Sequence, residues 1–354
     1  MDPKESYLLY IMLTYLSIIL ISLLAHLALY IFKKTYLPRR KRCTERWISI
    51  LHEKGANHCL TDRQIRKLKR DIDLAAWSDA LKEYKRSGGE PEVFVNRNDR
   101  ALSRLGIMIR REDIRAYYAY VLTSINREGR VKSRSLKALM EVYLESGRSM
   151  YLRENALKGI YSFRDPVAVL AAWLTLSKRK LYHDSKLLGN DLSEYPGDMQ
   201  RLTALLMSRY EELEENFQIA LINTLRFHKI TAFNRQLKEE LYREDASVDI
   251  KCCVIRLLGL EAVDYTGIFV DILGTYMNNE VWEPAAVAAI ALKGGEEELG
   301  KPALFQALTS RNWYVRKNVA MTLATYGLSD REKGLILEGD DRYARDALNW
   351  ALNR

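Results

Sequence analysis

The first 32 residues hold a long apolar segment. Between Tyr7 and Phe32 there is no Asp, Glu, Lys or Arg. As a helix rising 1.5 Å per residue, this segment would extend about 39 Å, enough to cross a hydrocarbon core of about 30 Å with some tilt. Its flanks favour a retained anchor over a cleaved signal peptide, because bulky residues lead straight into Lys33 and Lys34. The pattern predicts one transmembrane helix within residues 1–32. The core helix of a soluble protein is the alternative.

One face of this segment is small and polar. Such a face lets a second helix approach closely and form hydrogen bonds to it. A histidine within hydrocarbon is costly unless it has a partner, although a neutral histidine near the interface can be tolerated. We therefore expect a helix–helix contact with another membrane protein, or with a second copy, through Thr14, Ser17, Ser22, Ala25, His26 and Ala28.

A different pattern recurs along the rest of the chain. Apolar residues stand three, seven and eleven positions after each of six starting residues, and those offsets share one helix face. Five of the six starts are Ser, Asn or Asp, which cap helix amino termini. The starts lie about 32 residues apart, with one gap of twice that length, as is typical of stacked helix pairs. The starts are Ser149, Glu214, Ser247, Asn279, Asn312 and Asp340.

The best-formed segment, Asn312-Trp-Tyr-Val-Arg-Lys-Asn-Val-Ala-Met-Thr-Leu-Ala-Thr-Tyr-Gly, resembles the second helix of a HEAT repeat. Ser149-Met-Tyr-Leu-Arg-Glu-Asn-Ala matches the same signature, whereas Gln218, Glu283 and Ala344 stand where its basic residue is expected. The resemblance covers about residues 130–354. It implies an all-α solenoid of HEAT-like helix pairs, a fold that mostly supplies binding surfaces and does not identify a reaction.

These patterns predict four regions: residues 1–32 with the transmembrane helix, a basic juxtamembrane segment over 33–60, degenerate helical repeats over 61–129, and the HEAT-like array over 130–354. Within the array, residues 178–198 contain Gly189-Asn-Asp and Pro196-Gly. We expect a loop inserted into one repeat there.

The formal net charge of +9 is concentrated in one place. Residues 33–72 hold thirteen Lys or Arg against four Asp or Glu, and the remainder is nearly neutral, which disfavours nucleic acid as a partner of the array. The positive-inside rule then predicts residues 33–354 in the cytoplasm and the amino terminus outside a plasma or inner membrane. The same basic residues would also attract anionic lipid. They are Lys33, Lys34, Arg39, Arg40, Lys41 and Arg42.

We find no pattern that predicts catalytic, cofactor-binding or metal-binding residues, so an enzyme is not expected. Cys43, His52, His58 and Cys59 lie close in sequence, but their spacing matches no standard zinc motif. Aromatic and arginine side chains often anchor protein interfaces. The candidates for protein contact are Trp282, Trp313, Tyr314 and Arg316.

The expected function is that of a non-enzymatic, membrane-tethered scaffold that presents its repeat surface to a membrane protein. The resemblance extends loosely to membrane-anchored HEAT-type proteins that accompany polysaccharide-synthesising membrane glycosyltransferases. An accessory subunit of such a synthase is therefore the specific form of this expectation. The alternative is a membrane-proximal binder of anionic lipid or nucleic acid that uses residues 33–72.

Overall fold

The computed structural model describes residues 3–353, with side chains from Tyr10 onward; residues 1, 2 and 354, at the edges of the predicted ranges, lie outside it. Within 3–353 all regular structure is helical and there is no strand, which confirms the all-α prediction. The chain divides into two compact units, one up to Arg164 and one from Asp165 onward.

Nine α-helices lie within the described part of the first unit, residues 3–164. They are α1 (Pro3–Ile31), α2 (Leu37–Lys54), α3 (Asp62–Leu68), α4 (Asp71–Arg86), α5 (Pro91–Arg97), α6 (Asp99–Met108), α7 (Glu112–Ile125), α8 (Arg134–Ser146) and α9 (Met150–Ser162).

Twelve α-helices lie in the second unit as far as residue 353, where the description ends. They are α10 (Pro166–Lys178), α11 (Ser185–Ser193), α12 (Met199–Met207), α13 (Glu215–Phe227), α14 (Asn234–Leu237), α15 (Val248–Leu258), α16 (Thr266–Tyr276), α17 (Glu283–Ala291), α18 (Glu297–Ala307), α19 (Trp313–Tyr326), α20 (Asp330–Leu337) and α21 (Arg342–Leu352).

Helices α1 and α2 run on without a break through a π-helical turn, Phe32–Tyr36. In a regular helix, a proline ring clashes with the carbonyl four residues earlier, so the wider turn just before Pro38 accommodates it. By length and composition, α1 is able to cross a membrane, and its apolar window is fully exposed. Helix α2 instead packs against α4 and buries Trp47 and Leu51.

The rest of the first unit contains two rows of helices, since α6 packs on α8 and α7 packs on α9. Close packing between α6 and α8 requires a glycine: a Cβ on Gly106 would come within 2.4 Å of the Leu139 side chain. The Tyr143 hydroxyl donates to the Gly106 carbonyl at 2.7 Å and joins the same two helices.

In the second unit, alternate helices again pack side by side. Helices α11, α13, α15, α17, α19 and α21 each contact the next in the series, while α16 and α18 form part of a second row. The two rows contact each other where consecutive helices pack together: α16 on α17, α18 on α19, and α20 on α21. The arrangement is consistent with a solenoid-like helical repeat.

The predicted apolar positions are buried in four of the six segments. These are the triplets of α9, α13, α15 and α19: Leu152, Ala156 and Ile160; Phe217, Leu221 and Leu225; Ile250, Val254 and Leu258; Val315, Val319 and Leu323. The cap prediction is confirmed at Ser247, which accepts the Ile250 N–H, and at Asn312, which accepts from two backbone N–H groups.

In the segment predicted to start at Asn279, the register was wrong by three residues. Helix α17 has its amino-terminal cap at Trp282, and Ala285 occupies the fully buried position. Trp282 is only half-buried and Ile290 is exposed. The reason is that α17 is apolar on every side, so several registers satisfy the same spacing rule.

The last segment was predicted one residue early. Its cap is Asp341, whose carboxylate accepts from two backbone N–H groups, rather than Asp340. Ala344 therefore takes the buried position, and Tyr343 is exposed. This shift also places Arg345 where the basic residue of the signature belongs, so the apparent departure at Ala344 disappears.

The prediction of a loop over 178–198 was wrong, because this stretch contains α11, which packs on α13. Gly189, taken as a loop signal, lies inside the helix, and a Cβ there would touch the Ala220 backbone at 3.4 Å. Gly189 is therefore part of the helix rather than of a turn, and the helix ends at Ser193, before Pro196 and Gly197.

The repeated arginine has a common structural role. In four helices its side chain donates to the backbone carbonyl six residues earlier. The pairs are Arg115 to Ile109 at 2.6 Å, Arg153 to Gly147 at 3.3 Å, Arg345 to Gly339 at 3.1 Å, and Arg316 to Ser310. The arginine thus ties the loop before the helix to the helix itself and satisfies carbonyls that the helix cannot reach.

Candidate functional site

A trough with a volume of about 1070 Å³ crosses helices α13, α15, α17 and α19. Its lining includes Phe227 at the end of α13, Leu260 just after α15, and Val287 and Ile290 on α17. Phe227 is 71% exposed and Ile290 is 54% exposed, so neither contributes to a core. Apolar side chains left open in a concave surface mark it as a candidate binding site.

A pair of stacked aromatic rings lies in the lining of the trough. The Trp282 and Tyr314 rings lie 5.0 Å apart between centroids, with 9° between their planes. Tyr314 is held at the start of α19 because its backbone N–H donates to Asn312 Oδ1 at 2.8 Å. Asn318, also in the lining, donates to the Ala286 carbonyl at 2.8 Å and joins α19 to α17. The stack therefore rests on two helices that are fixed to each other.

The trough continues into a more polar region of about 500 Å³, which reaches α11. The two regions share Arg226, Phe227 and Arg256, so they form one continuous surface from α11 to α19. The polar end is lined by Ser185, Asn190, Ser193, Asn223 and Asp249. The surface therefore changes from hydrogen-bonding groups at α11 to aromatic and aliphatic groups at α17 and α19.

Positive charge lies near the middle of the trough. Among the residues described, no carboxylate forms an ion pair with Arg226 or Arg256, and both side chains are exposed. The Arg256 guanidinium lies 4.0 Å from the Cys253 sulfur. The whole lining contains four cations and two carboxylates: Lys186, Arg226, Arg256 and Lys293 against Asp249 and Glu283.

Two of the four residues predicted for protein contact, Trp282 and Tyr314, meet in the trough. Trp313 is exposed, but it is not part of the trough lining. Arg316 serves the chain itself: beyond its bond to Ser310, its guanidinium lies over the Tyr343 ring at 5.0 Å. The contact role of all four in binding a partner stays a prediction.

The polar face of α1 is satisfied largely within its own helix. Thr14 donates to the Tyr10 carbonyl and Ser17 to the Leu13 carbonyl, each at 2.8 Å. Nδ1 of His26 lies 2.9 Å from the Ser22 carbonyl. These hydroxyl groups therefore need no second helix, although Ser22, Ala25 and Ala28 leave room for one. The predicted helix–helix contact stays a prediction.

The basic cluster consists of the six cations after the apolar segment, Lys33, Lys34, Arg39, Arg40, Lys41 and Arg42. One of them forms an ion pair with a carboxylate, and the other five are exposed. Arg40 contacts Asp79 of α4 at 2.6 and 2.7 Å, and so helps to hold α2 on α4. Lys34 turns back toward the Tyr30 hydroxyl at 3.1 Å. Lys33, Arg39, Lys41 and Arg42 point outward around the π turn and α2.

Cysteine and histidine side chains near α2 have separate surroundings. Among the residues described, no three His, Cys, Asp or Glu side chains converge as metal ligands. His58 bonds to Gln64, His52 lies edge-on to Tyr84, and Cys59 is exposed. In α15, burial raises the pKa of Cys252 to about 12, so this thiol stays protonated at neutral pH.

Comparison with protein-family models, with characterised proteins and with solved structures gave no match to this chain. Sequence reasoning missed Arg226, Phe227, Arg256 and Leu260. For Phe227 the sequence did give a sign of exposure. It lies two residues beyond Leu225, the last buried position of its segment, and so falls on the opposite, solvent-facing side of the helix.

Proposed function

We propose that the protein is a membrane-tethered adaptor: α1 crosses a membrane, and a HEAT-like solenoid in the cytoplasm binds a membrane protein through the trough. The observation that carries the proposal is the trough itself. It combines exposed Phe227 and Ile290 with the Trp282–Tyr314 stack and with two arginines that have no carboxylate partner within residues 3–353. Surfaces of this composition supply interface hot spots, whereas a purely structural array has no need to expose them.

The tether is supported by the continuous helix from the apolar segment into α2. Five exposed cations follow the apolar segment directly, which by the positive-inside rule assigns residues 33–354 to the cytoplasm. Packing of α2 on α4 means that the helix leaving the membrane is part of the folded body. Arg40, the docked cation, lies eight residues beyond Phe32, a helical rise of roughly 12 Å. The first unit is therefore held close to the bilayer.

The HEAT-like assignment is supported by three features. Alternate helices pack in rows, Ser247 and Asn312 cap their helices as expected, and in four helices an arginine bonds to the carbonyl six residues earlier. The arginine bonds occur in both units, at Arg115 and Arg153 as well as at Arg316 and Arg345. A shared local device of this kind is expected when one supersecondary unit is repeated.

The lipid or nucleic-acid role of residues 33–72 has less support. Arg40 is committed to Asp79, and Trp47 and Leu51 are buried against the body, so much of this segment is structural. The exposed cations next to the membrane are explained by topology alone. A polysaccharide synthase as the partner stays a prediction.

Orientation is tested with the exposed native thiol of Cys59. A membrane-impermeant maleimide is added to intact cells and, separately, to permeabilised cells. The proposal predicts labelling only after permeabilisation. Cys59→Ser is the control that should lose most of the signal, because Cys43 is only partly exposed and Cys252 and Cys253 are buried. Labelling in intact cells would show that Cys59 lies outside the cell, which would contradict the proposed topology.

Partner binding is tested by purifying the full chain in mild detergent and identifying bound membrane proteins. The Phe227→Glu substitution places a charge in the trough, while Leu335→Glu makes the same change at an exposed position of α20 outside it. We expect a stoichiometric membrane protein that is lost with Phe227→Glu and retained with Leu335→Glu. Equal recovery with both variants would exclude the trough as the binding surface.

A further inference from the structure

The charge and shape of the trough restrict what it binds. Arg226 and Arg256 come from adjacent helices, both lie on the shared central part of the trough, and neither has a carboxylate partner among the residues described. On one side of them lie aromatic and aliphatic groups, and on the other lie hydroxyl and amide groups. An occupant that fits must therefore bring carboxylates beside an apolar face.

The dimensions suit a helix. With its polar region included, the trough crosses the five helices α11, α13, α15, α17 and α19. Neighbouring helices in this row pack at about 8–10 Å, so the four intervals give a length of roughly 32–40 Å. A helix of about 20 residues is about 30 Å long. Helix-in-groove binding places apolar side chains at a spacing of three and four residues in such a channel.

We propose that the trough binds an acidic amphipathic helix of the partner protein. Its apolar side chains lie on Phe227, Ile290 and the Trp282–Tyr314 stack, and its carboxylates pair with Arg226 and Arg256. This inference rests on the proposed adaptor function and names the chemistry of the partner.

Nucleic acid fits the trough less well than an acidic helix. Phosphate backbones are recognised by many cations along a track, whereas this lining holds two carboxylates against four cations and has an apolar end. Asp249 and Glu283 would repel a polyanion but leave room for an acidic helix of mixed surface. The protein-helix occupant is therefore favoured by charge and by apolar area together.

The test uses the full chain in phosphatidylcholine nanodiscs and three fluorescein-labelled 20-residue peptides. The first is a Leu/Glu amphipathic helix, the second replaces every Glu with Lys, and the third scrambles the first. Fluorescence anisotropy should show the first peptide binding at least about 10-fold more tightly than either control. Empty nanodiscs give the background.

Charge reversal locates the site. Arg226→Glu/Arg256→Glu should weaken the acidic peptide at least about 10-fold and favour the Lys peptide. Arg201→Glu/Arg331→Glu makes the same charge change on exposed residues of α12 and α20, and should stay within about twofold of wild type. Thermal unfolding of both variants shows whether each remains folded.

Three outcomes would overturn the proposal: equal binding of the acidic and Lys peptides, binding insensitive to the arginine reversal, or arginine-dependent binding of a 20-nucleotide single-stranded DNA in place of the peptide. Because this assay uses purified protein, it is separate from the co-purification test. A membrane partner lost with Phe227→Glu, together with failure of the acidic peptide, would leave the adaptor function in place and reject only this chemistry.

Discussion

The indole of Trp282 lies parallel to the phenol ring of Tyr314, with 5.0 Å between centroids and 9° between planes. The two residues are 32 positions apart, one at the start of α17 and one at the start of α19. Their separation equals the repeat length of the chain, so equivalent ends of neighbouring repeats place these two side chains together at the surface. Both rings lie in the lining of the apolar part of the trough.

The first prediction concerns the energy of this stack. Aromatic pairs contribute about 0.5–1.5 kcal/mol beyond their burial, so Trp282→Ala and Tyr314→Ala should couple by that amount in a double-mutant cycle. The measurement is unfolding of the full chain in micelles. Trp282→Ala combined with Leu335→Ala is the control pair and should be additive within about 0.5 kcal/mol. An additive cycle for Trp282 and Tyr314 would show that the stack stores no coupling energy.

The second prediction concerns the repeated arginine bond. Arg153 is buried and donates to the Gly147 carbonyl at 3.3 Å and to the Arg148 carbonyl at 2.8 Å. Arg153→Ala should lower the free energy of unfolding by about 1.5–3 kcal/mol, because bonds from a charged group are lost and the carbonyl of the buried Gly147 loses its partner. Arg331→Ala, on an exposed site, should cost no more than about 0.5 kcal/mol. Equal effects of the two substitutions would contradict the structural role.

The third prediction concerns the junction between α2 and α4. The Arg40–Asp79 pair is about one-third exposed, so its loss should cost less than about 1 kcal/mol. Arg40→Asp sets two carboxylates face to face and should speed hydrogen exchange in α2. The swap Arg40→Asp/Asp79→Arg should restore protection. If the swap exchanges as fast as the single variant, the pair does not hold the junction.

The fourth prediction concerns pH. Backbone N–H groups of Ser149 and Arg148 donate to the Glu112 carboxylate at 2.9 and 2.6 Å, and these bonds hold the pKa of Glu112 below its ordinary value of 4.5. Because the folded pKa is depressed, the stabilisation is complete above about pH 4.5 and is lost as pH falls through the folded pKa. The melting temperature of wild type should therefore exceed that of Glu112→Gln at pH 7, and the gap should narrow below pH 4.5. A constant gap across this range would contradict the assignment.

Much of the fold follows from spacing alone. The offsets of three and four residues identify the buried side of α9, α13, α15 and α19, because those helices have one apolar side and one polar side. The same rule fails for α17, which is apolar all round. The loop prediction over 178–198 failed for another reason, since Gly189 lies within α11 rather than in a turn. Periodicity fixes a register only where the opposite side of the helix is polar.

The trough was harder to predict than the core. Trp282 and Tyr314 were predicted as contact residues from their type, but their stacking depends on how α17 lies against α19. Phe227, Arg226 and Arg256 lie on the solvent side of their helices, where a single sequence gives no sign of which side chains meet. Their juxtaposition is a property of the stacked helices and not of any one segment.

The adaptor account is tested most directly by site-specific photo-crosslinking in native membranes. A photoreactive amino acid replaces Phe227 in the trough or, as the matched control, Leu335 outside it; both positions are about 70% exposed. Mass spectrometry then identifies any adduct. The account predicts one dominant adduct with an integral membrane protein from position 227 and none from position 335. No adduct at 227, or the same adducts from both positions, would contradict it.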